Sequence, residues 1–317
     1  MADDNDVICQ LCRRNKANKT NSHIVPAFWL KSQIGERGNE NAYLITEDPK
    51  QNYTENIGDK GLAEDYILCN DCETRLGYVE SYFSAEVIQK IEDANFVANF
   101  EKKISKHGDL LKCKRVNPIV FHLLIYSIIW RAAISKEPVY NHFTLSEDAL
   151  ENLRFTLDLF LPNTVNHKIE IKQDKYLKMI ENCQEFFQFF PYIILKADSL
   201  PDKTGAYNWF DNISTSPNHI ILNEYIILPF FQSMEWKNED DFFELKSELD
   251  LMDLLNNCYE NVKVGIISND RYNAIISKLQ EATAIKRQIK ELAQKMASGE
   301  IPIPVEVVVK IEEYLSK

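Results

Sequence analysis

Cys9-Gln10-Leu11-Cys12 and Cys69-Asn70-Asp71-Cys72 decide how the first quarter of this chain folds. A Cys-x-x-Cys turn lets two thiolates from one tight loop occupy two corners of a tetrahedron, and a second such turn closes it. The surrounding segment explains why a staple is needed. From Met1 to about Gly77 the sequence is rich in Asn, Gly, Asp and Lys, with apolar residues only in short groups, so it cannot fill a core alone. Coordination energy substitutes for the missing burial. A structural Zn2+ held by Cys9, Cys12, Cys69 and Cys72 is therefore expected, and four sulfurs saturate it, leaving no open position to activate water. Cys113, Cys183 and Cys258 are isolated and read as buried structural thiols.

Outward from the pairs, Gly35 to Gly61 reads as a long loop or loose hairpin. After Gly77 the period changes: Val79, Phe83, Val87, Ile91 and Phe96 recur every four or so residues, predicting an amphipathic helix through Ser105. Pro118 stands at a first-turn position for a central helix, Ile119 to Ser135, and Ser146 with Glu147 and Asp148 starts another that runs to about Phe160. Phe189 to Lys196 and His219 to Phe231 are apolar runs bounded by Pro, Asn and Asp and read as strands, with a hairpin around Asn223-Glu224 and a loop from Asp198 to Ser216 before it. Asp270 to Ala297 is the longest helix candidate, broken by Ile301-Pro302-Ile303-Pro304 before a last short helix. The predicted class is α+β: a zinc-stapled unit over 1–80, then a mainly helical body over 81–317 with a small antiparallel sheet.

The chain has 317 residues, 45% hydrophobic and 26% charged, enough for one large core or two ordinary ones. Its net charge of -12 opposes any general attraction to polyanions. Nucleic-acid binding would have to be local, and Arg13, Arg14, Lys16 and Lys19 are the basic group nearest the cysteines. An odd count of 7 cysteines without a signal-like leader argues against a secreted disulfide framework and for a reducing, cytoplasmic setting. Ile119 to Ile134 is the longest apolar run, but His122 and Trp130-Arg131 interrupt it, so no membrane association is expected.

Between the pairs lies Ser22-His23-Ile24-Val25-Pro26. A histidine titrating near neutral pH can deprotonate water, and a divalent cation beside it can stabilise charge at a phosphate. Cys9, Cys12, His23, Ile24, Pro26, Leu68, Cys69 and Cys72 together resemble the zinc-bearing His-Asn-His (HNH) endonucleases, a ββα-metal fold of the treble-clef kind. The resemblance implies that His23 is the general base for attack on a DNA phosphodiester and that Glu73, just after the last cysteine, binds a catalytic Mg2+ or Mn2+. Two positions depart from the family: Ser22 stands where an Asp or His ligates the metal, and Glu64 where an Asn orients the base. Either Glu64, Asp65 or Glu73 then supplies the missing charge, or catalysis has been lost. With Ser127 to Ala132 (Ser-Ile-Ile-Trp-Arg-Ala), the pattern also resembles a group of bacterial HNH-like proteins, some associated with defence against phage.

The rival expectation is a non-catalytic zinc module that binds nucleic acid or protein. In that case His23 supports the knuckle, and Glu73 merely complements the positive end of a helix. Glu80 reads as a surface residue, Arg131 as half of a buried ion pair, and Phe186, Phe187, Phe189 and Phe190 as core. The remaining histidines share no ligand spacing. A partner protein or a second copy of the chain could dock on the helical body.

Overall fold

In the computed structural model the chain is α+β, and the structure describes residues 7–29, 41–44, 53–56, 63–91, 93–105, 108–137, 140, 143–198, 208–211, 219–222, 224–230 and 254–275, with positions 277, 292, 295 and 298. Helix α1 (Asn70–Phe83) leaves the second cysteine pair directly: the Cys69 thiol accepts the Cys72 N–H, and Asp71 and Glu73 stand in the first turn, where the helix dipole favours carboxylates. Helix α2 (Pro118–Ile134) starts at Asn117, whose side chain accepts the Ile119 and Val120 N–H groups, with Pro118 in the first turn as expected. Nearly every residue of α2 is buried, so it forms the centre of the molecule. Ser146 caps α3 (Glu147–Phe160). A shorter helix, α4 (Gln173–Cys183), follows.

Three strand pairs are small: β1 (Ser22–His23) with β4 (Ala63–Glu64), β2 (Asn41–Leu44) with β3 (Tyr53–Asn56), and β7 (Thr164–Val165) with β8 (Lys168–Ile169). The expected loose hairpin between the cysteine pairs is thus β2–β3. The main sheet has 7 strands in the order β10-β11-β12-β9-β13-β6-β5. These are β5 (Phe100–Ser105), β6 (Gly108–Cys113), β9 (Tyr192–Ala197), β10 (Asn208–Asp211), β11 (His219–Leu222), β12 (Tyr225–Pro229) and β13 (Val262–Ile267). All its neighbours are antiparallel except β13 and β9, which run parallel.

The sheet is larger than expected, and the reason is local. The four-residue step through Val79, Phe83 and Val87 holds and all three are buried, but Phe96 is 37% exposed. α1 ends at Phe83, the chain passes through a π turn (Ser84–Ile88) and a 3-10 turn (Ala94–Asn99) capped by Asp93, and then enters β5 instead of continuing as helix to Ser105. Phe100–Ser105 carries no apolar alternation of its own and becomes a strand by pairing along β6. β11 and β12 pair antiparallel as expected of a hairpin, Leu222 with Tyr225 and Ile220 with Ile227. β10 falls inside the stretch read as a loop. Most of Asp270 to Ala297 and everything after Pro304 lie outside the described residues.

One face of the sheet and the helices share a continuous buried cluster that also takes in Leu11, Ile67, Leu76 and Trp29 around the cysteines. Trp29 bridges the parts, its ring 5.6 Å from Phe83 and 5.2 Å from Tyr225. The other face packs a second cluster built from Ile193, Leu195, Ile226, Leu254 and Tyr272.

Inside the first cluster α2 meets β9 through one polar contact. His122 Nε2 lies 2.9 Å from the Cys258 carbonyl and Nδ1 2.8 Å from the Tyr192 hydroxyl, so a neutral ring donates to the first and accepts from the second. Burial lowers the His122 pKa to about 4. The unfolded chain, with an ordinary histidine value, binds the proton first as pH falls, so this contribution to stability is complete above pH about 6.5 and is lost towards pH about 4. The loss is on the order of 3 kcal/mol. Urea midpoints should fall between pH 7 and pH 5, and His122→Gln should flatten that dependence; an equal slope in the variant would refute the assignment.

Candidate metal centre and the histidine beside it

The first cysteine pair sits on a tight turn. Ile8 and Lys16 bridge antiparallel, Cys9 N–H donates to the Asn15 carbonyl at 2.8 Å, Arg13 N–H returns to the Cys9 carbonyl at 2.9 Å, and Arg13 takes a positive φ of 53° to close the loop. The second pair opens α1. Together the four sulfurs of Cys9, Cys12, Cys69 and Cys72, all buried, lie within 4.8 Å of one another, and Cys12 and Cys69 are 3.9 Å apart. Zinc–sulfur bonds of about 2.3 Å at tetrahedral angles require sulfur separations near ~3.8 Å, so the donor set fits zinc. Hydrogen bonds from Cys72 and then Cys9 hold the Cys69 thiol far below its usual range, while donating to Cys69 pushes Cys9 up to about 11. Among the described residues this is the one group of three or more such side chains whose ligand atoms converge.

The shell around the cysteines is supplied largely by α3 and the β7–β8 hairpin. Arg75 is buried, its guanidinium donating to Asp158 Oδ1 at 2.7 Å, to the Pro162 carbonyl at 3.0 Å and to Cys72 Sγ at 3.9 Å. Arg154 donates to the Leu11 carbonyl at 2.7 Å. Asp71, between the second pair, accepts from Thr164, His167 and Asn15. Arg13 and Arg14 reach Glu151 and Asp158 of α3 at 2.6 and 2.9 Å. Two cations of the group expected to grip nucleic acid are therefore engaged by carboxylates of the same chain.

His23 lies on the short ladder β1–β4, opposite Ala63, with Ser22 opposite Glu64. Ser22 is fully buried, and its hydroxyl donates to Glu73 Oε2 at 2.7 Å. Of the three carboxylates that could supply charge beside Ser22, the structure brings Glu73. Asp65 instead accepts the Asn21 N–H at 2.6 Å, and the Glu64 carboxylate accepts from Ser135 Oγ at 2.7 Å and Lys136 N–H at 2.9 Å, at the end of α2.

Glu73 and Glu80 are two helical turns apart on one face of α1. Gly77 lies between them, and a Cβ built there would meet nothing within 4 Å. The two carboxylates raise the proton affinity of His23 while burial, the larger influence, lowers it below the ordinary histidine range. His23 Nδ1 is buried and has no hydrogen-bond partner among the described residues. From α2, Arg131 Nη1 donates to the His23 carbonyl and Nη2 to Glu80 Oε1 at 2.7 Å.

Glu80, expected at the surface, has a side chain only 19% exposed and paired with Arg131. The signal was the seven-residue step from Glu73. Arg131 is the buried ion-pair residue expected, with Glu80 as its acid.

Comparison with protein-family models, with curated proteins and with solved structures finds no match. No described helix is long and apolar enough to cross a membrane.

Proposed function

We propose that the chain is an HNH-like endonuclease of the ββα-metal kind that hydrolyses DNA phosphodiester bonds, with His23 as general base. The observation that carries this reading is the seating of His23. Its ladder lies beside the helix that leaves the four-cysteine centre, its buried Nδ1 is unpartnered among the described residues, and Glu73 and Glu80 stand on that helix. Knuckle, hairpin and helix also follow one another in the order of a treble clef, with the second cysteine pair at the helix start.

In this reading His23 takes a proton from water, the resulting hydroxide oxygen bonds to phosphorus, and the P–O bond to the leaving strand breaks. Glu73 is the hard oxygen donor that would hold a catalytic Mg2+ or Mn2+, which when bound would stabilise charge on the phosphate, while Glu80 is held by Arg131. Ser22 acts through its hydrogen bond to Glu73 and is too buried to face substrate. The zinc centre is a mount. Work in the cytoplasm, where metal-binding thiols stay reduced, and a role in bacterial defence against phage belong to the same reading.

Plasmid nicking in Mg2+ or Mn2+ tests it. His23→Ala should lower the rate by about 100- to 10,000-fold while the zinc content stays at one ion per chain. No cleavage by the wild type would leave the non-catalytic zinc module standing in its place, and equal cleavage by the variant would overturn His23 as the base.

Gly77 offers a second check with two readouts of opposite sign. Since a Cβ there meets nothing, Gly77→Ala should stabilise the protein by about 0.5–1 kcal/mol through helix propensity. Cleavage should nevertheless weaken, because the bare helix surface between the carboxylates is where the phosphodiester approaches. A variant both more stable and fully active would show that nothing approaches that face.

A further inference from the structure

α2 is apolar along most of its length, and besides His122 near its start its buried polar side chains are Ser127 and, towards its end, Arg131. Arg131 is 1% exposed, and an apolar side chain of similar volume would fill the same space without the cost of desolvating a charge. The guanidinium is spent on particular acceptors. Nε donates to the Ser127 carbonyl at 3.2 Å and Nη2 also reaches Ser127 Oγ at 3.2 Å, which holds the fork in place. Nη1 meets the carbonyl of His23 itself, and Nη2 meets Glu80. Four residues further on, Ser135 Oγ and Lys136 N–H hold Glu64. Arg131 thus grips β1 and Ser135 grips β4, so one helix end holds both strands of the ladder that presents His23.

We infer that Arg131 is a positioning residue: from the end of α2 it fixes the backbone of His23 and the carboxylate of Glu80 in a single grip. The inference rests on the reading of His23 as general base. It makes the geometry of the site a property of the central helix as well as of the zinc centre, so displacement of α2 carries the base with it. Arg131 touches neither water nor phosphate in this scheme; it acts through His23 and Glu80. A misplacement of about 1 Å at a reacting group costs on the order of 100-fold in rate.

The test compares Glu80→Gln with the double variant Arg131→Met/Glu80→Gln, in which no unpaired buried charge remains. Both should retain zinc and helical signal. Relative to Glu80→Gln alone, the double variant should lose about 100-fold in kcat on plasmid or a short duplex, with KM nearly unchanged. It should also lose hydrogen-exchange protection over residues 18–29. Arg131→Lys, which keeps the charge and loses the fork, should fall between wild type and the double variant in both measurements. Unchanged protection and a kcat equal to that of Glu80→Gln would overturn the inference, as would Arg131→Lys matching wild type in both. A wild type that cleaves nothing overturns the nuclease reading and the positioning role together, whereas a cleaving wild type indifferent to Arg131 overturns the positioning role alone.

Discussion

Stripping zinc from the four cysteines is expected to unfold the segment from Val7 to Trp29 and the start of α1, and to weaken the body with it. Apparent binding energies for structural zinc in small domains are about 10–16 kcal/mol near neutral pH, and the ion binds only the folded arrangement of thiolates. The energy is felt beyond the knuckle because Leu11, Ile67, Leu76 and Trp29 belong to the same buried cluster as Phe121 and Tyr192. Cys72→Ser should have nearly the same effect. Besides losing a ligand, it removes the sulfur to which Arg75 donates. Metal release by a strong chelator, followed by circular dichroism and hydrogen exchange, measures this. An unchanged thermal midpoint after complete zinc loss would mean that burial alone suffices to fold the segment.

The second large effect is on stability at the Arg131–Glu80 pair, and it should be asymmetric. Arg131→Met removes the donor to the His23 carbonyl and leaves Glu80 without its cation, a break of a buried pair that costs about 3–5 kcal/mol. Glu80→Gln should cost less, because Arg131 keeps the His23 and Ser127 carbonyls as acceptors and an amide oxygen at position 80 can still accept from it. The double variant should then be more stable than the sum of the single effects implies. Urea unfolding of the four proteins gives the coupling directly, and a coupling near zero would show that the two side chains are neighbours without being partners.

What could be read in advance was short-range. Cys9/Cys12 and Cys69/Cys72 carry their meaning in their spacing, and Asn117-Pro118 and Ser146-Glu147-Asp148 mark helix starts through bonds made within one turn. The hairpin closing Leu222 onto Tyr225 is equally local. Membership of the main sheet is a long-range matter. Val262–Ile267 is a brief apolar run whose strand character depends on β9 and β6, both far away in sequence. Phe100–Ser105 follows a helix-like period and becomes a strand because β6 lies beside it. The same limit applied at the site. Ser-His-Ile-Val-Pro named the histidine, but which of Glu64, Asp65, Glu73 and Glu80 would face it depends on how the ladder and α1 are set against α2.

The position of β13 has a further consequence, for the making of the protein on the ribosome. Its two sheet neighbours, β6 and β9, are both synthesised before it, and neither has a partner on that side until the chain has been extended through Ile267. During that interval the nascent chain holds two open strand edges, the kind of surface that recruits other unfolded chains. Closing the gap needs a parallel pairing with β9 across a wide separation in sequence, a slow step for any sheet. Val262 and Val264 belong to the cluster that seats α2, so the candidate site would be the last part to become rigid, and a chain stalled before β13 would carry its cysteines and His23 without a settled geometry around them.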